Sequence, residues 1–135
     1  MSLFQSKKKR TTKNRSKELA LLQEERRNLL SSSQDFFMRE AYKTLRSNVN
    51  FSLTEETTGG KLIAVTSALQ SEGKSFTAVN LAISYAQTDR RVLLVDCDLR
   101  RPKLSRLLQV SAGAGLSNLL VTPALLPEAI QPSGV

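Results

Sequence analysis

Apolar residues fall in two different rhythms along this chain, and the change of rhythm marks its organisation. Residues 62–65 (LIAV) and 92–95 (VLLV) are short unbroken apolar runs, the form taken by strands covered on both faces of a parallel sheet. Between them Phe76, Val79, Ala82, Ile83 and Ala86 recur at helical spacing, so the pattern predicts strand, loop, helix, strand. Upstream, residues 17–30 (KELALLQEERRNLL) set Leu19, Leu22, Arg26 and Leu29/Leu30 on one stripe and predict a helix ended by Ser31, Ser32 and Ser33. A second helix is expected over 36–53, capped by Ser33 or Asp35, with Phe37, Ala41, Leu45 and Val49 as its docking row. Residues 54–60 (TEETTGG) read as a loop, and Asp89, Arg90 and Arg91 as a turn. Beyond Pro102, short helical pieces are expected at 103–108, 116–120 and 127–130, with no third strand. Two strands are too few to bury a doubly wound sheet, so the pattern reads as a domain cut short.

The loop after the first apolar run carries the candidate chemistry. It closes with Gly73-Lys74-Ser75 and opens directly into the predicted helix. A strand, a loop, Gly-Lys-Ser and a helix form the layout of a phosphate-binding loop, in which backbone N–H groups wrap the phosphates, lysine reaches the terminal ones and serine ligates Mg²⁺. The G-x-x-x-x-G-K-[ST] spacing is met except at its first position, where Ala68 stands in place of glycine.

The second apolar run ends in Asp96-Cys97-Asp98-Leu99-Arg100-Arg101-Pro102. A right-handed strand–helix–strand crossover brings both strands out on one sheet edge, where ligands of such folds sit. Lys74 and the Asp96/Asp98 pair are therefore expected to face one site, with one aspartate holding Mg²⁺ or its water and the other accepting a proton from an attacking hydroxyl. Cys97 is expected to pack as a small buried residue without chemistry of its own.

Composition narrows the function classes. The chain has 135 residues, one domain at most. It lacks histidine, which removes His-based acid–base catalysis and nearly all zinc sites. A single cysteine leaves no internal disulfide and suits a reducing, cytosolic compartment. No apolar run is long enough to span a bilayer, and no secretory signal pattern is present. The net charge of +8 is concentrated in residues 1–17, where Lys7, Lys8, Lys9, Arg10, Lys13, Arg15 and Lys17 stand without an acid. That tail is expected to be disordered. It would either keep the chain soluble or lie near anionic lipid or a membrane protein. Nucleic acid is disfavoured, because no aromatic stacking residue or base-reading element accompanies it.

Residues 40–134 resemble the cytoplasmic bacterial tyrosine kinases of capsule and exopolysaccharide synthesis, the CpsD/CapB type. Glu40-Ala41-Tyr42-Lys43-Thr44-Leu45-Arg46 with Asn48 resembles the family's helix before the first strand. Thr66-Ser67 with Glu72-Gly73-Lys74-Ser75 resembles its Walker A, and residues 93–102 (LLVDCDLRRP) its Walker A′. The resemblance implies a P-loop NTPase-type α/β fold over 59–135, following helices at 18–58 and the basic tail at 1–17. It implies a transferase that moves a phosphoryl group from Mg·ATP to tyrosine hydroxyls. By residue, it places the nucleotide against Ser71, Glu72, Gly73, Lys74, Ser75, Phe76 and Arg100. Lys74 would sit on the β/γ-phosphates, Ser75 on Mg²⁺, Asp96 as proton acceptor and Asp98 as partner of the metal or of Lys74. It also implies a membrane-embedded activator, or chain-length regulator of polysaccharide export, which would hold the kinase at the inner face of the membrane. Glu40, Lys43 and Arg46, spaced by three along one helix side, would contact a neighbouring copy in a ring.

The chain departs from that family in four ways. Gln70-Ser71 replace the usual Pro-Gly, and Lys43 replaces an arginine. A Walker B run and a tyrosine-rich tail are absent, Tyr42 and Tyr85 being the only tyrosines. Two further readings therefore stay open. One is a MinD/ParA-like ATPase switch, against which Leu69 stands where that group carries an extra lysine. The other is a truncated, non-catalytic remnant that binds nucleotide or a partner.

Overall fold

The computed structural model describes residues 16–31, 35–53, 59–111 and 113–134. Its helices are α1 (16–27 among the described residues), α2 (Phe36–Ser52), α3 (Lys74–Ala86), α4 (Leu104–Leu108), α5 (Leu116–Val121) and α6 (Leu126–Ala129), the last preceded by a 3₁₀ turn at Pro123–Leu125. The expected basic tail lies outside the described residues apart from Ser16 and Lys17, which belong to α1, and so does loop 54–58. None of the described helices is long and apolar enough to cross a membrane.

The core is built where α3 meets the C-terminal end of α1 and the short α4. Leu29, Leu30, Val79, Ile83, Leu104 and Leu107 are buried together, with Met38, Tyr42, Phe76, Leu94 and Leu108 packed around them. Burying one such leucine or valine contributes about 1.5–3 kcal/mol. Two ion pairs also link α1 to the α4 region, Glu18 to Arg106 at 2.8 Å and Glu25 to Lys103 at 3.9 Å. Exposed pairs of this kind contribute about 0–1 kcal/mol. Apolar contact therefore holds α1 in place, and the ion pairs set its rotation.

Asp35 caps α2, its Oδ1 accepting from the N–H groups of Phe37 at 2.9 Å and Met38 at 3.3 Å. The docking row of α2 is one residue out from the row predicted by hydrophobicity. Met38 and Tyr42 meet the core, Arg46 Nη1 donates to the Ser84 carbonyl, and Asn50 Oδ1 accepts from the Tyr85 hydroxyl at 2.9 Å. Phe37, by contrast, is 82% exposed. A shift of one position turns a helix by about 100°. The cause lies in α3, whose C-terminal half offers a carbonyl and a phenol. Arg46 and Asn50 pair with those two groups.

The expected parallel sheet is not formed among the described residues. Segments 61–67 and 91–98 carry no strand assignment, and no backbone hydrogen bond joins them. A strand with no neighbour has neither a ladder nor a covering face. Accordingly Leu62 is 93% and Leu93 63% exposed, while only Leu94 of that run packs on the core. Cys97, expected to be buried, is exposed for the same reason.

Candidate nucleotide-binding site

The loop 67–73 turns on residue 69. The Leu69 carbonyl accepts from Ser67 Oγ at 2.9 Å and from Lys74 Nζ at 3.3 Å, and Lys74 Nζ also donates to Ser67 Oγ at 2.9 Å. The Leu69 N–H donates to Glu72 Oε2 at 3.0 Å. The Leu69 N–H, foremost, and then the Ser67 hydroxyl hold the Glu72 carboxyl below the usual carboxylate range, against an opposing effect of desolvation that outranks the further lowering by the Lys74 charge and the Ala68 N–H.

Backbone geometry explains which loop positions need glycine. Gly73 sits at φ 86° and caps α3, and a Cβ built there would meet nothing within 4 Å, so only the backbone conformation demands glycine. Ser71 is at φ 66° without being glycine. The resemblance puts glycine at this position, and the left-handed backbone is the physical reason for it. Ala68 is not among the described non-glycine residues with positive φ, so its replacement of the pattern's first glycine strains nothing.

The N-terminus of α3 fits a phosphate. No side chain caps it and no acid stands in its first turn. The N–H groups of that turn lack helical partners and carry the positive end of a 13-residue helix. Lys74 and Ser75 are its first two residues, both half-buried. Phe76, one of the expected nucleotide contacts, packs against the hydrophobic core instead of standing free in the loop.

The aspartates form a separate cluster. Asp96 Oδ2 accepts the N–H groups of Lys103 and Leu104, each at 3.0 Å, and Oδ1 accepts the Asp98 N–H at 3.1 Å. Asp98 Oδ1 accepts the Arg101 N–H at 3.0 Å. Asp96 thereby caps α4 and ties the loop 96–103 into one turn. No hydrogen bond or ion pair joins Lys74 to Asp96 or Asp98 among the described residues, and Arg100 is exposed. Nor do the described residues contain a group of three acidic or cysteine ligands that could hold a metal.

The expected contact trio on α2 divides. Glu40 and Lys43 pair on the surface at 2.7 Å, whereas Arg46 turns inward to α3. One influential residue escaped sequence reasoning altogether. Asn80 is fully buried in the middle of α3, its Oδ1 accepting the Leu30 N–H at 2.9 Å. The available signal was an amide between Val79 and Leu81 in an otherwise apolar stretch.

Comparison with known proteins places part of this chain beside nucleotide-binding domains. Residues 63–116 match the CobQ/CobB/MinD/ParA nucleotide binding domain. The tyrosine-protein kinase YwqD of Bacillus subtilis (strain 168) is 37% identical over 94 residues, which is 70% of this chain and 39% of that protein. The tyrosine-protein kinase etk of Escherichia coli (strain K12) is 37% identical over 95 residues, and wzc of Salmonella typhi 31% over 96, covering 70% and 71% of this chain. The chain spans 13% of the length of each of those two, so it corresponds to well under half of any of the three. No solved structure matches it. Over about 70% of its length the chain is thus similar to bacterial tyrosine-protein kinases, and its residues 63–116 match the CobQ/CobB/MinD/ParA nucleotide binding domain.

Proposed function

We propose that the chain binds Mg·ATP on the 67–75 loop and acts as a protein-tyrosine kinase in the control of capsule or exopolysaccharide synthesis. The observation that carries this reading is the placement of Lys74 and Ser75 on the uncapped first turn of α3, beside a left-handed Gly73. ATP, when bound, supplies the phosphoryl group. Lys74 would leave Ser67 and the Leu69 carbonyl to neutralise the terminal phosphates, and Ser75 would hold the Mg²⁺ that the phosphates carry. Of the two aspartates, Asp98 keeps one carboxylate oxygen clear of the backbone, while both oxygens of Asp96 are engaged. We therefore assign Asp98 the tyrosine proton or the metal's water, and Asp96 the positioning of the turn that presents it.

The partners follow from the same reading. They are tyrosine-bearing proteins, a membrane-embedded activator of polysaccharide export that holds the chain at the cytoplasmic face, and further copies of the chain in a ring. The helices before residue 59 would serve those contacts, with Glu40 and Lys43 outermost. A second reading, nucleotide binding without phosphoryl transfer, draws support from the engagement of Asp96 in capping and from its lack of any bond to Lys74.

Titration with Mg·ATP, followed by an assay for phosphotyrosine, tests both. Lys74→Met is expected to abolish binding, and undiminished affinity in that variant would sink the site assignment. Binding without phosphotyrosine, even with the activator present, would select the second reading.

A further inference from the structure

We propose that the Glu72 carboxylate is an intramolecular stand-in for a phosphate, lying among the donors of the 67–74 loop so that a polyphosphate must displace it in order to bind. This rests on the assignment of the loop to nucleotide binding and adds a built-in brake to it. The donors of this loop are of the kinds a phosphate loop offers: the Leu69 N–H sits on Glu72 at 3.0 Å, while the Ser67 hydroxyl and the Lys74 ammonium meet the neighbouring Leu69 carbonyl at 2.9 and 3.3 Å. Ser67 gives its one proton to the Leu69 carbonyl. Lys74 meanwhile is spent on Ser67 and the Leu69 carbonyl.

A glutamate is ionised at neutral pH, and a charged carboxylate held on the Leu69 N–H opposes an incoming phosphate twice over. It occupies the Leu69 N–H, and it repels the ligand's charge. Left-handed backbone stands on either side of Glu72, at Ser71 and Gly73, and the carboxylate reaches back three residues to the Leu69 N–H. Removing the charge therefore favours the ligand, although the same residue stands inside the motif where sequence reasoning would count it as a contact.

The test is calorimetric titration of the 135-residue chain and its Glu72→Gln, Glu72→Ala and Lys74→Met variants with Mg·ATP and, separately, with tripolyphosphate. Glu72→Gln and Glu72→Ala are expected to bind both probes about two- to fivefold more tightly than the unsubstituted chain, the range set by removing one exposed charge interaction. Equal or weaker binding in both Glu72 variants, while the unsubstituted chain binds and Lys74→Met does not, overturns the brake and leaves the nucleotide site standing. Failure of every version to bind overturns both. Binding seen only after Glu72 is replaced supports the brake in its strongest form.

Discussion

The side-chain oxygen of Asn80 accepts the backbone N–H of Leu30 at 2.9 Å, joining positions 50 residues apart. It ties the end of α1 to the middle of the helix that begins with Lys74. Asn80 has no accessible surface, and its Nδ2 has no partner among the described residues, so the Oδ1 half of the amide carries its stabilising bond. Replacing Asn80 with alanine leaves the Leu30 N–H buried and unpaired. The expected loss is about 1–3 kcal/mol, read as a lower urea midpoint. An unchanged midpoint would mean that α1 is held by Leu22, Leu29 and Leu30 alone.

Asp96 separates capping from catalysis. Asparagine keeps one acceptor oxygen for the Lys103 and Leu104 N–H groups, but its NH₂ cannot accept the Asp98 N–H, and alanine accepts neither. Asp96→Asn is therefore expected to lose only part of the ~0.5–2 kcal/mol that Asp96→Ala loses. Thermal unfolding of the two variants decides the matter. If Asp96→Asn loses phosphotyrosine formation as fully as Asp96→Ala while keeping more of its stability, Asp96 has a chemical role beyond the turn it caps. If Asp96→Asn is active, its role is to position Asp98.

The sequence pattern was most legible where one local rule acted alone. Asp35 as a cap, the helix after Gly73 and the short helix near Leu104 follow from spacing and capping chemistry within a few residues. The face of α2 was not legible, because it depends on which groups α3 offers. The polar pair Arg46 and Asn50 outweighed the larger apolar row that begins at Phe37. The two apolar runs predict strands, and neither takes that form among the described residues. A strand, however, is completed by its neighbours, and neither run has one among the described residues. Within the site, motif spacing marked Gly73, Lys74 and Ser75. It carried no information on the inward fold of Glu72 or the capping by Asp96, which are set by backbone turns that no periodicity records.

Ser71 offers a stabilising change. Its φ of 66° is costly for any residue with a Cβ, by about 1–2 kcal/mol relative to glycine. Ser71→Gly relieves that cost and gives back part of it as greater freedom in the unfolded chain. The net expectation is a gain of up to about 1 kcal/mol, visible as a higher melting temperature. A lower melting temperature would show that the Ser71 conformation is not strained.

Glu72 makes the loop sensitive to acid, and the sign follows from its partners. Its pKa in the folded chain is lowered, first by the Leu69 N–H. A lowered carboxylate stabilises the folded loop at every pH above its ordinary range, and that contribution is lost as pH falls through the lowered value. Neutral pH therefore keeps the carboxylate on Leu69, and only acid below the ordinary glutamate midpoint of about 4.3 releases it. The Leu69 amide proton reports this directly. Its NMR shift is expected to be flat down to that midpoint and to move below it, with no such transition in Glu72→Gln. A transition at or above the ordinary midpoint would mean that Glu72 is not held by Leu69, and the brake on phosphate binding would lose its anchor.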